Sequence, residues 1–234
     1  MSEISIHVVT KEVVTQEIET IIDSFRFFLR EINKCDKRIK ALYAQGETLE
    51  EALQNKIIDI NGYTNEKTSS LIGEYLPIVE GLWDGNEEDS MSILLTQNKE
   101  NTSIHINAEN HVGIYNKNNI IHFIKSAAEK YTLKLFSVSF NGARDQVGEA
   151  VFPDRPPAGW MLYLPIQFEM HPSLLKTDAE FIPISTALST GTIIITKENY
   201  NCLDKADQYL SNDVEIALRD LGLLPLYSDI YKDK

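Results

Sequence analysis

Residues 151–165 read VFPDRPPAGWMLYLP. Prolines stand at 153, 156 and 157 ahead of the apolar run, and a fourth, Pro165, closes it. Each fixes φ and lacks an N–H, so this stretch cannot continue a sheet ladder. From Trp160 onward the character changes, and Trp160, Met161, Leu162, Tyr163 and Leu164 are apolar or aromatic at every position. A strand with one wet face alternates, whereas a strand apolar throughout is covered on both faces and lies inside its sheet. The stretch therefore predicts a central strand reached through a stiff loop, with Trp160 in the core. Ile193, Ile194 and Ile195, entered through Gly191-Thr192, predict a second interior strand. Residues 133–140 alternate, placing Phe136, Val138 and Phe140 on one face.

Working outward, residues 5–9 read as a short opening strand. Val14, Ile18, Ile21, Ile22, Phe25, Phe28, Leu29 and Ile32 recur at helical spacing and predict a long amphipathic helix over 14–32. Thr48-Leu-Glu-Glu51 is a capping-box pattern and predicts a short helix over 49–57. Another helix is expected over 66–75, stopping ahead of Pro77. Residues 91–96 and 103–106 read as strands around a polar turn, 112–115 as a third, and Ile120, Ile124, Ala127 and Ala128 mark a helix ending near Lys130. A last helix is expected over 203–221, with a break near Ser211-Asn212-Asp213; Gly222 stops it and Pro225 follows. The order lacks regular strand–helix alternation. It predicts one α+β domain over 1–234, with a mixed or mainly antiparallel central sheet flanked by helices and a helical N-terminal third.

The chain has 234 residues, 43% hydrophobic and 24% charged, with 22 Lys+Arg against 35 Asp+Glu and a net charge of −13. Such a field repels nucleic acid and anionic lipid and attracts basic partners; it also serves simply to keep a protein in solution. The N-terminus lacks the pattern of a signal peptide, and no run of 18 apolar residues occurs. A cytoplasmic setting is expected, with Cys35 and Cys202, the two cysteines, as reduced thiols.

Several chemistries lack their motifs. There is no glycine-rich phosphate loop, no HExxH, no CxxC and no GxSxG. The five histidines, His7, His105, His111, His122 and His171, show no metal-ligand spacing and read as solvated strand and loop residues, so neither metal nor cofactor is expected. Asp154 and Arg155 adjoin each other between prolines. A fixed carboxylate beside a guanidinium is one use, as in a hydrolase built on Asp154. The other is structural, with Arg155 forked onto backbone carbonyls to lock the loop. With no visible nucleophile or second acid, the structural use is favoured and no enzyme is expected. Trp83 precedes Asp84, Glu87, Glu88 and Asp89. This reads either as a solvated turn or as a recognition patch, with an aromatic anchor among steering charges.

Three segments together resemble the immunity protein 52 family of bacterial polymorphic toxin systems. They are residues 151–165, with the block D-R…G-W-M-L-Y-L-P (Asp154, Arg155, Gly159, Trp160 onward); GTIIIT at 191–196; and IALRDLGLLP at 216–225. The N-terminal helix and GETLEEAL at 46–53 fit more loosely, and residues 84–119 carry no part of the likeness. The resemblance implies a cytoplasmic antitoxin encoded beside a secreted toxin, often one delivered by type VI secretion. It implies that the toxin is a nuclease of the restriction-endonuclease fold. The family's motif is read as fold-forming. Contact residues do not carry over from it, and Trp83, as an aromatic anchor, with Asp84, Glu87, Glu88 and Asp89, as steering charges, are the candidates. An adaptor for another basic protein fits the same composition.

Overall fold

The structure is a computed structural model that describes residues 3–12, 18–65, 78–140 and 151–232. Ten strands form one sheet. In chain order they are β1 (Ile4–Thr10), β2 (Ala41–Tyr43), β3 (Lys56–Asp59), β4 (Ile78–Trp83), β5 (Met91–Gln97), β6 (Thr102–Ala108), β7 (Leu133–Phe140), β8 (Met161–Leu164), β9 (Glu180–Ser185) and β10 (Thr190–Ile195). Their spatial order is β3-β2-β4-β5-β6-β1-β7-β8-β10-β9, and every pairing is antiparallel. The helices are α1 (Ile18–Cys35), α2 (Leu49–Gln54), α3 (Lys117–Lys130), α4 (Pro172–Leu175), α5 (Lys205–Asp220) and α6 (Tyr227–Tyr231).

The chain is thus α+β, and its sheet is wholly antiparallel where described. The helical N-terminal third is corrected: β1, β2, β3 and β4 all lie within the first 83 residues, with α1 and the single-turn-and-a-half α2 between them. Helix α2 starts at the expected cap, where Thr48 Oγ1 accepts from the Glu51 N–H at 3.2 Å. It ends at Gln54 rather than 57, because Ile57 and Ile58 are buried in a strand paired with β2. Residues 112–115 form a 3₁₀ turn instead of a strand. Helix α5 runs unbroken through Ser211-Asn212-Asp213, held by the burial of Val214, Ala217 and Leu218 below them. The start of the helix expected over 14–32, and the whole of that expected over 66–75, lie outside the described residues.

Alternation assigns the two sheet faces. Ile4, Ile6 and Val8 of β1, Ile104 and Ile106 of β6, Ile93 and Leu95 of β5, and Phe136 and Val138 of β7 point to one face. There they pack beneath α1 and α3 through Phe25, Phe28, Leu29, Phe123 and Ile124. On the opposite face, Val9, Leu135, Leu162, Leu164 and Ile194 pack against Leu174 of α4, Val214 and Leu218 of α5, and Leu224 and Ile230. Strand β8 is covered on both sides, with all four residues buried, and sits between β7 and β10. Among the described residues, that second layer covers one half of its face. On β5 and β6 the same face presents Ser92, Leu94, Thr96, His105 and Asn107, all partly or fully exposed.

The opening stretch is docked at both ends. Trp160 is 2% exposed; its N–H donates to the Val138 carbonyl at 2.9 Å, its carbonyl accepts from Thr196, and its indole Nε1 donates to the Lys197 carbonyl at 3.0 Å. Gly159 sits at φ +55°, and a Cβ there would lie 2.6 Å from the Val138 oxygen. Glycine is the residue that tolerates both the left-handed backbone and the close approach.

Candidate partner-binding surface

Trp83 at the end of β4 and the turn from β4 to β5 carry the five candidate residues. The structure brings some of them together and turns others away. Asp84 points inward: its side chain is 5% exposed, and Oδ1 accepts from the N–H groups of Met91 at 3.0 Å and Asn86 at 3.3 Å. Burial pushes its carboxyl above the usual range. Asp84 therefore shapes the turn. Gly85 follows at φ +84°, where a Cβ would come within 2.9 Å of the Tyr43 ring. Asp89 pairs with Arg38 at 2.7 Å. Glu87 and Glu88 are exposed, and neither has a cation partner among the described residues.

Arg38 ties this turn to the body of the fold. It also grips Asp36 at 2.7 Å and donates to the Asn110 carbonyl at 3.0 Å. The Arg38 guanidinium holds the Asp36 carboxyl well below the ordinary carboxylate range. His111, 1% exposed, stands between two acids, with Nδ1 3.1 Å from Asp36 and Nε2 3.8 Å from Asp84. The acidic turn is thereby anchored through five side chains, Asp36, Arg38, Asp84, Asp89 and His111, drawn from three separate segments.

Trp83 is partly exposed, and its indole Nε1 donates to the Ala44 carbonyl at 3.4 Å. It forms one wall of an open groove of about 430 Å³. The 45–49 loop with Ala52 forms another wall, and Glu87 and residues 90–92 complete it. Sequence reasoning missed Glu47, which lines this groove from 36 positions away in the chain. The loose GETLEEAL stretch was the one available signal.

The histidines depart from the solvated reading. His111 is buried. His7 and His105, cross-strand partners on β1 and β6, stack with ring centroids 4.1 Å apart. His7 Nε2 lies 2.8 Å from Ser103 Oγ and 3.1 Å from the Tyr231 hydroxyl. Burial, with His105 alongside, pushes His7 down to about 3. The cluster ties the C-terminal helix to the sheet. His171 caps α4 through Nδ1, and His122 is exposed on α3. Among the described residues, no group of three or more His, Cys, Asp or Glu is arranged to hold a metal ion. Cys35 and Cys202 are not bonded to each other.

At the proline-framed loop, the Arg155 guanidinium donates to the Leu224 carbonyl, and the Asp154 carbonyl accepts from the Tyr227 N–H at 2.9 Å. The Asp154 side chain faces solvent. Ala158 N–H donates to the buried Glu215 carboxylate of α5 at 3.0 Å. Asp154, Arg155, Gly159 and Trp160 thus join the sheet to the C-terminal layer.

No family profile matches the chain, and no curated protein matches its sequence. The fold is similar to that of a solved structure, the Pseudomonas aeruginosa T6SS protein PA0821. The TM-score is 0.52 and the identity 9%, over 94% of this chain and 76% of that one. At that identity the likeness is one of fold. No described helix is long and apolar enough to cross a membrane.

Proposed function

We propose that this chain is an immunity protein that binds and neutralises a cognate secreted toxin, in the setting of type VI secretion. It acts by occupying the toxin, without catalysis, metal or cofactor. The observation that carries the reading is the exposed, uncompensated pair Glu87 and Glu88 beside a partly exposed tryptophan, in a chain of net charge −13. An enzyme that grips DNA presents a basic surface, and an acidic protein competes with phosphate for it while gaining a fast encounter rate. The fold shared with a T6SS protein supports the setting. No family profile matches the chain; the resemblance read from residues 151–165, 191–196 and 216–225 alone implies a nuclease of restriction-endonuclease fold as the target. The test is co-purification of the full chain with the protein encoded beside it, followed by a DNA-cleavage assay. A stable complex with cleavage suppressed at stoichiometric ratio is expected. Cleavage unaffected by a saturating excess would overturn the reading.

A further inference from the structure

We infer that the groove beside Trp83 is a receptor for an arginine side chain of a basic partner protein. This deepens the reading above and rests on it. Three features of the groove converge on that chemistry. Trp83 offers an indole held in place by its bond to the Ala44 carbonyl. Glu47 and Glu87 bring two carboxylates to the same groove, both on exposed residues and neither paired with a cation among the described residues. Ala52 and Met91 add apolar lining.

An aromatic face, paired acids and apolar flanks suit a guanidinium on a methylene stem. The stem packs on apolar surface, the planar head stacks on the ring, and its N–H fork meets carboxylate oxygens. Lysine fits less well, because its ammonium is a compact, strongly hydrated point charge that neither stacks nor forks. The surroundings sharpen the preference. On β5 and β6 the neighbouring open sheet surface carries Ser92, Leu94, Thr96, His105 and Asn107, none of them a carboxylate, so an incoming cation finds its charge partners at the groove. The groove is also firmly built. The Asp84 turn bonds fix Glu87's loop, and the Thr48 cap and the Glu47 N–H to Glu51 bond at 3.0 Å fix the opposite wall.

The experiment uses the full chain and a dye-labelled hexa-arginine peptide at about 0.15 M salt, with hexa-lysine as comparison. Peptide anisotropy reports affinity. Tryptophan emission reports the site, because Trp160 is 2% exposed and out of a peptide's reach. Hexa-arginine is expected to shift the emission and to bind more tightly than hexa-lysine. Glu47→Gln with Glu87→Gln is expected to weaken it about fivefold. Glu169→Gln with Asp213→Asn, which removes equal charge from exposed sites on other segments, should weaken it less than about twofold. Trp83→Leu, which keeps apolar bulk and removes the ring, should weaken it about threefold. Equal weakening by both double variants, unshifted emission on binding, or hexa-lysine binding as tightly as hexa-arginine would overturn the inference. Groove binding intact while the toxin is not captured strikes the proposed function alone. Toxin capture intact with no groove binding strikes the arginine receptor alone.

Discussion

Arg155 ends on the Leu224 carbonyl, 69 positions away in sequence. Removing the side chain leaves that acceptor without its charged donor. Arg155→Ala is expected to cost about 1.5–3 kcal/mol of stability by urea unfolding, with toxin affinity unchanged in the folded fraction. Unchanged stability with lost affinity would move Arg155 from the fold to the interface. The prolines on either side announced a fixed side chain in the sequence. The acceptor was not legible, since a contact across that separation leaves no local pattern. The histidine pair illustrates the same limit: His105 was placed opposite Ile104 and Ile106 by alternation, but its partner on β1 depends on register. That pair predicts an acid response. Burial lowers both His7, to about 3, and His105 from the ordinary value of 6.5. Between about 3 and 6.5 the unfolded chain holds more protons than the native one, so stability falls as pH drops through that window. Each histidine contributes a slope of at most about 1.4 kcal/mol per pH unit. Urea titrations at pH 7 and pH 5 are expected to show a smaller loss for His7→Asn than for wild type; equal losses would show that His7 is not the source.

Among the elements, those with a periodic pattern or a continuous apolar run were legible: β1, α1, α3 and β7 by spacing, β8 and β10 by apolar runs, and α5 by spacing apart from the break expected at 211–213. The short ones were not. Strands β2 and β3 have three and four residues, too few for alternation to show, and exist because they pair with each other and with β4. Strand β9 contains Pro183, which an edge position tolerates and an interior one does not. Val-Gly-Ile-Tyr at 112–115 has strand composition but turns as 3₁₀ ahead of the Asn116 cap of α3. The lead-in to β8 is the element most sensitive to a single atom. Gly159→Ala adds a methyl against the Val138 oxygen at positive φ and is expected to cost at least about 2 kcal/mol, seen as a lowered urea midpoint. The β4–β5 turn makes a kinetic prediction instead. Glu87→Gln with Glu88→Gln should slow association with the toxin and flatten its dependence on salt, with dissociation little changed, because exposed charges govern encounter. Stopped-flow mixing at two salt concentrations checks this. Identical rates and slopes would leave the turn a solvated one.

Among the described residues, α1 and α3 pack on one face of a single antiparallel sheet, and the C-terminal layer packs over half of the other. The C-terminal layer is pinned to the sheet by residues 154–160, and the acidic turn is pinned to α1's end by Arg38. The fold was therefore legible where its core repeats. Its recognition surface was legible only as charge: Trp83, Glu87 and Glu88 remain outward, Asp84 is spent inside the turn, and Glu47 joins from a different segment. The net charge of −13 unites the surface with the proposed role, since a field of that sign draws a basic toxin from beyond contact. The most direct test is growth. Bacteria expressing the protein encoded beside this chain, the toxin of the proposed function, with and without the chain in the same cell, report neutralisation itself. Growth restored by wild type, and reduced by a Glu47→Gln, Glu87→Gln, Glu88→Gln variant expressed to the same level, is the predicted result. Undiminished killing in the presence of abundant folded wild-type protein would contradict the account.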